Sequence, residues 1–154
     1  MSNSQTEMSS STLIDLLDDL IELNRDAYTG YTTAAEGIDS DVYRQILTDH
    51  ADERQQFAAE LSEIVKQYGG VPPESGNALG ALHRAWIQLK NALTSGDRAI
   101  LAECSQAETV LTNQYKHAVR QPVPADVHDV LTKQMSDLGV TSKKIHDLVA
   151  VLDD

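Results

Sequence analysis

Residues that build strands and disulfide scaffolds are scarce in this chain of 154 residues. Aromatic residues make up 5% of it and proline occurs four times, whereas helix-forming Ala, Leu, Glu, Asp and Gln are abundant, so an all-α class is predicted. The single cysteine, Cys104, has no second cysteine with which to form an intramolecular disulfide. A reducing compartment fits such a chain best, and we therefore expect a cytoplasmic protein.

Basic residues and long apolar runs are also scarce. Twelve Lys and Arg stand against 24 Asp and Glu, which gives a formal net charge of −12. A surface of this sign repels phosphates and anionic lipids, so we expect neither nucleic acid nor a membrane as a partner. No segment approaches the roughly 20 consecutive apolar residues of a membrane span. Residues 1–11 lack the basic start and apolar centre of a signal peptide.

Four long segments repeat apolar residues at steps of three and four, the pattern of amphipathic helices. They cover residues 12–38, 41–68, 98–120 and 125–152, and a shorter helix is predicted at residues 80–93. The apolar face of the first segment consists of Leu13, Leu16, Leu20, Leu23, Ala27, Tyr31, Ala34 and Ile38. An antiparallel four-helix bundle with a short extra helix between the second and third long helices is the predicted fold.

Capping residues predict where these helices begin. Ser11 or Thr12 is expected to cap the first helix, Ser40 or Asp41 the second, and Asp97 the third long helix. Residues 1–11 are rich in Ser, Asn, Gln and Thr and are predicted to be a disordered segment before a single domain at 12–152.

Several polar residues fall on or beside the apolar helix faces and could meet inside the bundle. They are Asn24, Tyr28 and Tyr31 on the first helix, His50, Glu53 and Arg54 on the second, Glu108 on the third, and Gln134 and His146 on the fourth.

A carboxylate-bridged di-iron site is the most specific hypothesis that this set suggests. Such sites need one Glu from each of two helices and a Glu-x-x-His from each of the other two. Here the first helix has Asn24 at the centre of its face, and the second has the reversed order His50-x-x-Glu53. The residues left as metal ligands are Glu53, Glu108, His50 and His146, enough for a single iron or manganese ion.

Two other interpretations of the same residues stay open. Buried charges need partners, and Arg54 paired with Glu53 or Glu108 would form a hydrogen-bonded core network with no metal or other cofactor. Alternatively, Arg54 could hold a small acidic ligand between the helices. Cys104 is not expected to be a nucleophile, because neighbouring Glu residues disfavour its thiolate. Trp86 either anchors the short helix to the bundle or contributes to a dimer surface.

Residues 80–93, GALHRAWIQLKNAL, and residues 99–108, AILAECSQAE, resemble a bacterial family of ferritin-like four-helix-bundle proteins with no assigned function. Gly30-Tyr31 and residues 54–61 look like further motifs of that family, and the resemblance spans residues 13–152. It implies the ferritin-like fold. It also implies a ligand Glu seven residues before Tyr31, where this chain has Asn24.

The leading interpretation is a non-enzymatic bundle that acts through self-association or protein partners, with a role in stress adaptation implied by ferritin-like relatives. It rests on the incomplete ligand set and the acidic surface. The alternative is a metal-binding ferritin-like protein that uses the four ligands named above.

Overall fold

A computed structural model describes residues 7–74 and 81–152, without the side chains of residues 81–85. Its five helices are α1 (Ser10–Gly37), α2 (Asp41–Gln67), α3 (Ala81–Ala92), α4 (Asp97–Val119) and α5 (Ala125–Leu152). Four are long, and the short α3 lies between the second and third of them, so the predicted helix order is confirmed. No helix in the described part of the chain is long and apolar enough to cross a membrane.

The start of α1 differs slightly from the prediction. The helix begins at Ser10, and the Ser9 side chain accepts a hydrogen bond from the Thr12 N–H at 3.1 Å, so Ser9 is the cap rather than Ser11 or Thr12. The nearby Met8 N–H donates to the carbonyl of Pro122 at 3.1 Å. Of the segment predicted to be disordered, residues 1–6 lie outside the described residues.

The start of α2 follows the prediction, whereas the start of α4 does not. Ser40 caps α2 and accepts from the Tyr43 N–H at 3.2 Å. The N-cap position of α4 is Gly96, whose φ of +98° suits glycine, and no side chain caps that helix. The Asp97 carboxylate instead accepts from the N–H groups of Asp39 (2.8 Å) and Ser40 (3.1 Å). The expected capping role of Asp97 is therefore wrong, because its carboxylate ties the α1–α2 turn to the start of α4.

Trp86 fastens α3 to the bundle. Its side chain is 7% exposed, and its ring meets Tyr31 edge-on with centroids 5.3 Å apart. The ring packs directly over Gly30, where an added Cβ would lie 2.2 Å from a ring carbon. Of the two roles left open by the sequence, the structure shows the anchor, because a side chain this buried leaves little surface for a second molecule.

The core is formed by leucine, isoleucine and alanine side chains of all four long helices. On α1 the most buried residues include Leu17 and Ile21, while Leu16 and Leu23 are only partly buried. The predicted apolar face is thus rotated slightly, since positions at the edge of a helical stripe are decided by the neighbouring helix.

Candidate functional site

Arg54 on α2 occupies the centre of the bundle and is completely buried. One terminal nitrogen of its guanidinium donates to Glu53 on the same helix. The other donates to Glu108 of α4 at 2.6 Å and to the hydroxyl of Thr141 on α5 at 2.9 Å. The planar, forked guanidinium is suited to holding two acceptors at once. One cation therefore joins three of the four long helices.

Burial and neighbouring charges shift the pKa values of Arg54 and Tyr31. Burial alone would lower the pKa of Arg54, but Glu108, with Tyr31 and Glu53, raises it above its ordinary value, so the guanidinium stays charged. Burial and then the Glu108 charge raise the pKa of Tyr31 well above its ordinary value. The Arg54 charge also lies 5.4 Å from the centre of the Phe57 ring, within range of a cation–π contact.

His50 lies one helical turn before Arg54 and is 2% exposed. Its Nδ1 is 2.8 Å from the carbonyl oxygen of Ile46, and its Nε2 is 2.9 Å from that of Thr141. Carbonyl oxygens only accept, so each ring nitrogen would have to donate for both bonds to form. The ring also packs at a tilt against Tyr31, with centroids 5.4 Å apart. His50 thus links α2 to the backbone of α5.

A second set of hydrogen bonds, buried except at its end on the exposed Glu60, surrounds Tyr115 on α4. The Asn24 amide donates to the Tyr115 hydroxyl and to the Leu20 carbonyl, both at 2.9 Å. The Tyr115 hydroxyl in turn donates to Gln134 of α5 at 2.6 Å, and the Gln134 amide donates to Glu60 of α2 at 2.9 Å. This chain of amides and hydroxyls crosses the whole bundle from α1 to α2.

The two sets share one structural role, which is to join α2 to α5. The Thr141 hydroxyl accepts a hydrogen bond from Arg54 and donates one to Glu53 at 3.1 Å. The Gln134 side-chain amide donates a hydrogen bond to Glu60 on α2. We call the residues His50, Glu53, Arg54, Glu60, Glu108, Gln134 and Thr141 the polar seam. Inside a protein such bonds are stronger than the same bonds in water.

Two residues expected in the interior lie elsewhere. His146 is exposed on α5, and its Nδ1 contacts the Ser105 hydroxyl on α4. Tyr28 is partly buried and lines a groove on the outer side of α1 and α2. Cys104 is fully buried, and burial, followed by the charges of Glu108 and Glu103, raises the pKa of its thiol. The expectation of an unreactive cysteine is supported, although burial is a larger cause than the neighbouring charges.

The donor set that the structure assembles does not fit a two-metal centre. Glu53 and Glu108 meet, but they meet at a guanidinium that already neutralises them and would repel a metal cation. The Asn24 side chain is a neutral amide, and its two N–H groups are donated to protein acceptors, so it does not supply the negative charge of a ligand carboxylate. Within residues 7–74 and 81–152, no group of three or more His, Cys, Asp and Glu is placed to hold a metal ion.

Three members of these networks, Tyr115, Thr141 and Glu60, are not among the polar residues that the sequence predicts in the interior. Helical periodicity signals only that Tyr115 is buried, because the direction of its hydroxyl depends on the neighbouring helices. Thr141 lies four residues before Ile145 on the same side of α5, which would have been a weak signal.

Comparison with known proteins agrees with this architecture. Residues 12–121 match the family described as a domain of unknown function, DUF2383. The chain belongs to this family. No curated protein sequence matches it. The predicted membership of a family with no assigned function is therefore confirmed.

Solved structures show the same fold for this DUF2383 member. A point mutant of Dps1 from Mycobacterium smegmatis superposes with a TM-score of 0.78 and 11% identity, over 97% of this chain and 99% of that one. A ferritin-like, diiron-carboxylate protein from Bacillus anthracis str. Ames superposes with a TM-score of 0.67 and 19% identity, over 92% and 99%. At these identities the likeness establishes the ferritin-like fold and nothing about chemistry.

Proposed function

We propose that this DUF2383 protein is a metal-independent ferritin-like bundle that is not an enzyme and acts by associating with protein chains. The observation that carries the proposal is Arg54, which holds Glu53 and Glu108 in the interior. A metal centre places its positive charge between carboxylates of different helices. Here a side chain supplies that charge, so the bundle is held together by its own residues.

The rest of the interior supports this proposal. The only cysteine is buried with a raised thiol pKa, and the buried tyrosines have raised pKa values, so none of these groups is poised to act as a nucleophile or base. Exposed apolar side chains such as Val140 and Val151 lie on the outer surface, which offers a protein partner apolar area to cover. A role in stress adaptation rests on the family resemblance alone.

Metal analysis after aerobic purification tests the proposal. We expect iron and manganese far below one per chain, and an unfolding midpoint that is the same before and after dialysis against a chelator. Stoichiometric iron or manganese that is lost in Glu108→Gln and kept in the matched control Glu103→Gln would overturn it. Glu103 lies on the same helix and is only partly buried, so its replacement tests the charge change without touching the interior.

A metal-binding protein is the second candidate, and one observation favours it. The Oε2 atom of Glu108 is buried and has no hydrogen-bond partner of ordinary length within the described part of the chain, and the Tyr31 hydroxyl is a polar neighbour of this carboxylate. The neighbour from Bacillus anthracis is a diiron-carboxylate protein. In this candidate Glu53, Glu108, His50 and His146 would bind iron or manganese, which requires Arg54 to leave and His146 to turn inward from the surface.

A further inference from the structure

The outer face of α5 carries an apolar and charged stripe that its own chain leaves exposed. Val140 and Val151 are each 68% exposed. Lys144 and Asp147 lie between them at helical steps of four, three and four, which places all four on one side of the helix. We call these four residues the α5 stripe. Together with Lys143 and Leu148 they line a shallow depression of about 330 Å³. Asp147 also forms an exposed ion pair with Lys143 of the same helix at 2.7 Å, and such a surface pair contributes little, so its carboxylate can also face a second cation.

The order of residues in the α5 stripe is complementary to itself. It reads apolar, basic, acidic, apolar in one direction and apolar, acidic, basic, apolar in the other. Two antiparallel copies would therefore set Val140 against Val151 of the second copy, and Lys144 against its Asp147. In this arrangement the valine side chains are removed from water, and each Lys144 faces the opposite charge of an Asp147. The same residues meet twice, as in a two-fold interface.

We propose that a second copy of this chain docks antiparallel along the α5 stripe to form a symmetric dimer. This inference rests on the proposed function, because it names the partner through which the bundle acts. The charge of the chain also makes this patch distinctive: Lys143 and Lys144 are adjacent basic residues in a protein of net charge −12. An acidic residue of a second copy is thus attracted to this part of an otherwise repelling surface.

The size of the stripe sets the strength of the dimer. From Val140 to Val151 the helix rises by roughly 17 Å at about 1.5 Å per residue. A contact along that length is smaller than the roughly 800 Å² per partner of a standard stable interface. The dimer should therefore be weak and dependent on protein concentration.

Sedimentation velocity over a concentration series tests the apolar part of the contact. We expect wild type to pass from monomer to dimer as its concentration rises toward ~1 mM. Val140→Glu places a carboxylate opposite a valine and should raise the dissociation constant about tenfold or more. Val42→Glu is the matched control, since Val42 is equally exposed on α2, and it should leave the dissociation constant unchanged. Circular dichroism of each variant verifies that helicity is kept.

A charge exchange tests the antiparallel register. In Lys144→Glu the new carboxylate faces Asp147 of the second copy, so two like charges meet and the dimer should weaken. In the double variant Lys144→Glu with Asp147→Lys, opposite charges face each other again and the dimer should be restored. A register centred on Val140 would instead pair Asp147 with Lys133, and the double exchange would then stay weak.

Wild type that stays monomeric up to ~1 mM, a Val140→Glu variant that dimerises like wild type, or a double exchange that fails to restore the dimer would each overturn the proposal. Capture of a different protein in place of the second copy would overturn it too. The metal analysis of the proposed function has a separate readout. Stoichiometric metal in a protein that still dimerises in this register would refute the proposed function and leave the dimer standing.

Discussion

Removing the buried cation should be the most damaging single change to this protein. Arg54→Met keeps much of the side-chain volume but leaves Glu108, which is 1% exposed, without its only ion-pair partner in the described residues. Stripping one partner from a buried ion pair costs about 3–5 kcal/mol. Since domains are stable by roughly 5–15 kcal/mol, this one substitution should remove a large part of the free energy of unfolding.

Urea unfolding followed by circular dichroism measures the effect. With a denaturant dependence of about 2 kcal/mol per molar, the urea midpoint of Arg54→Met should fall by about 2 M. Lys133→Met is the matched control, because its ion pair with Asp137 lies at the surface and exposed pairs contribute about 0–1 kcal/mol. The Lys133→Met midpoint should therefore stay close to that of wild type.

A double variant separates the ion pair from simple loss of packing. In Arg54→Met with Glu108→Leu, both buried charges are gone, and apolar replacements of buried ion pairs are often neutral or stabilising. We expect the double variant to recover most of the lost stability, with a coupling free energy of at least about 2 kcal/mol. A loss below about 1 kcal/mol in Arg54→Met, or strictly additive losses in the double variant, would refute the reasoning.

Three further changes test other parts of the structure by thermal unfolding. Gly30→Ala should lower the free energy of unfolding by about 1–3 kcal/mol, because its new Cβ would lie 2.2 Å from the Trp86 ring. Gly139→Ala, which meets no atom within 4 Å, should raise the free energy of unfolding by up to about 1 kcal/mol through helix propensity. Equal effects of the two substitutions would contradict the packing of Trp86 over Gly30. Tyr115→Phe should cost about 1–3 kcal/mol, because it unpairs buried groups on two other helices, and an unchanged midpoint would speak against that network. Burial and acidic neighbours raise the pKa of Asp18 above its ordinary value of 3.8, so the folded wild type gains stability as the pH falls toward that value. Asp18→Asn should thus be the more stable protein at pH 7 by about 0.4–1 kcal/mol, with the advantage lost below pH 3.8 and reduced in 1 M salt.

Much of the candidate site was within reach of the sequence. Periodicity placed Asn24, His50, Arg54 and Glu108 on buried faces, and all four are buried. A pairing of Arg54 with Glu53 or Glu108 was one of the interpretations that the sequence left open, because a buried charge needs a partner, and in the structure Arg54 pairs with both.

Other features depended on how the helices are placed against one another. His146 stands at the edge of its stripe, and a small rotation of α5 decides whether it faces the core or, as observed, the Ser105 hydroxyl at the surface. Asp97 has the right type and position for a helix cap, but the α1–α2 turn offers it two free N–H groups 57 and 58 residues away in sequence. No local rule could have predicted that competition.

The sequence by itself determined the all-α class, the order of the five helices and most of the residues at the centre of each buried face, because these follow from spacing along one chain. The sequence also places Asn24 on the apolar face of α1, at a position where a metal centre would need a carboxylate. Only the tertiary structure decided what takes the place of that charge. Glu53 and Glu108 come from different helices and are 55 residues apart in sequence, and packing brings both within hydrogen-bonding distance of a single guanidinium. The partner of a buried charge is set by helix placement, since ionic hydrogen bonds depend on distances of a few ångströms that spacing along a chain does not encode.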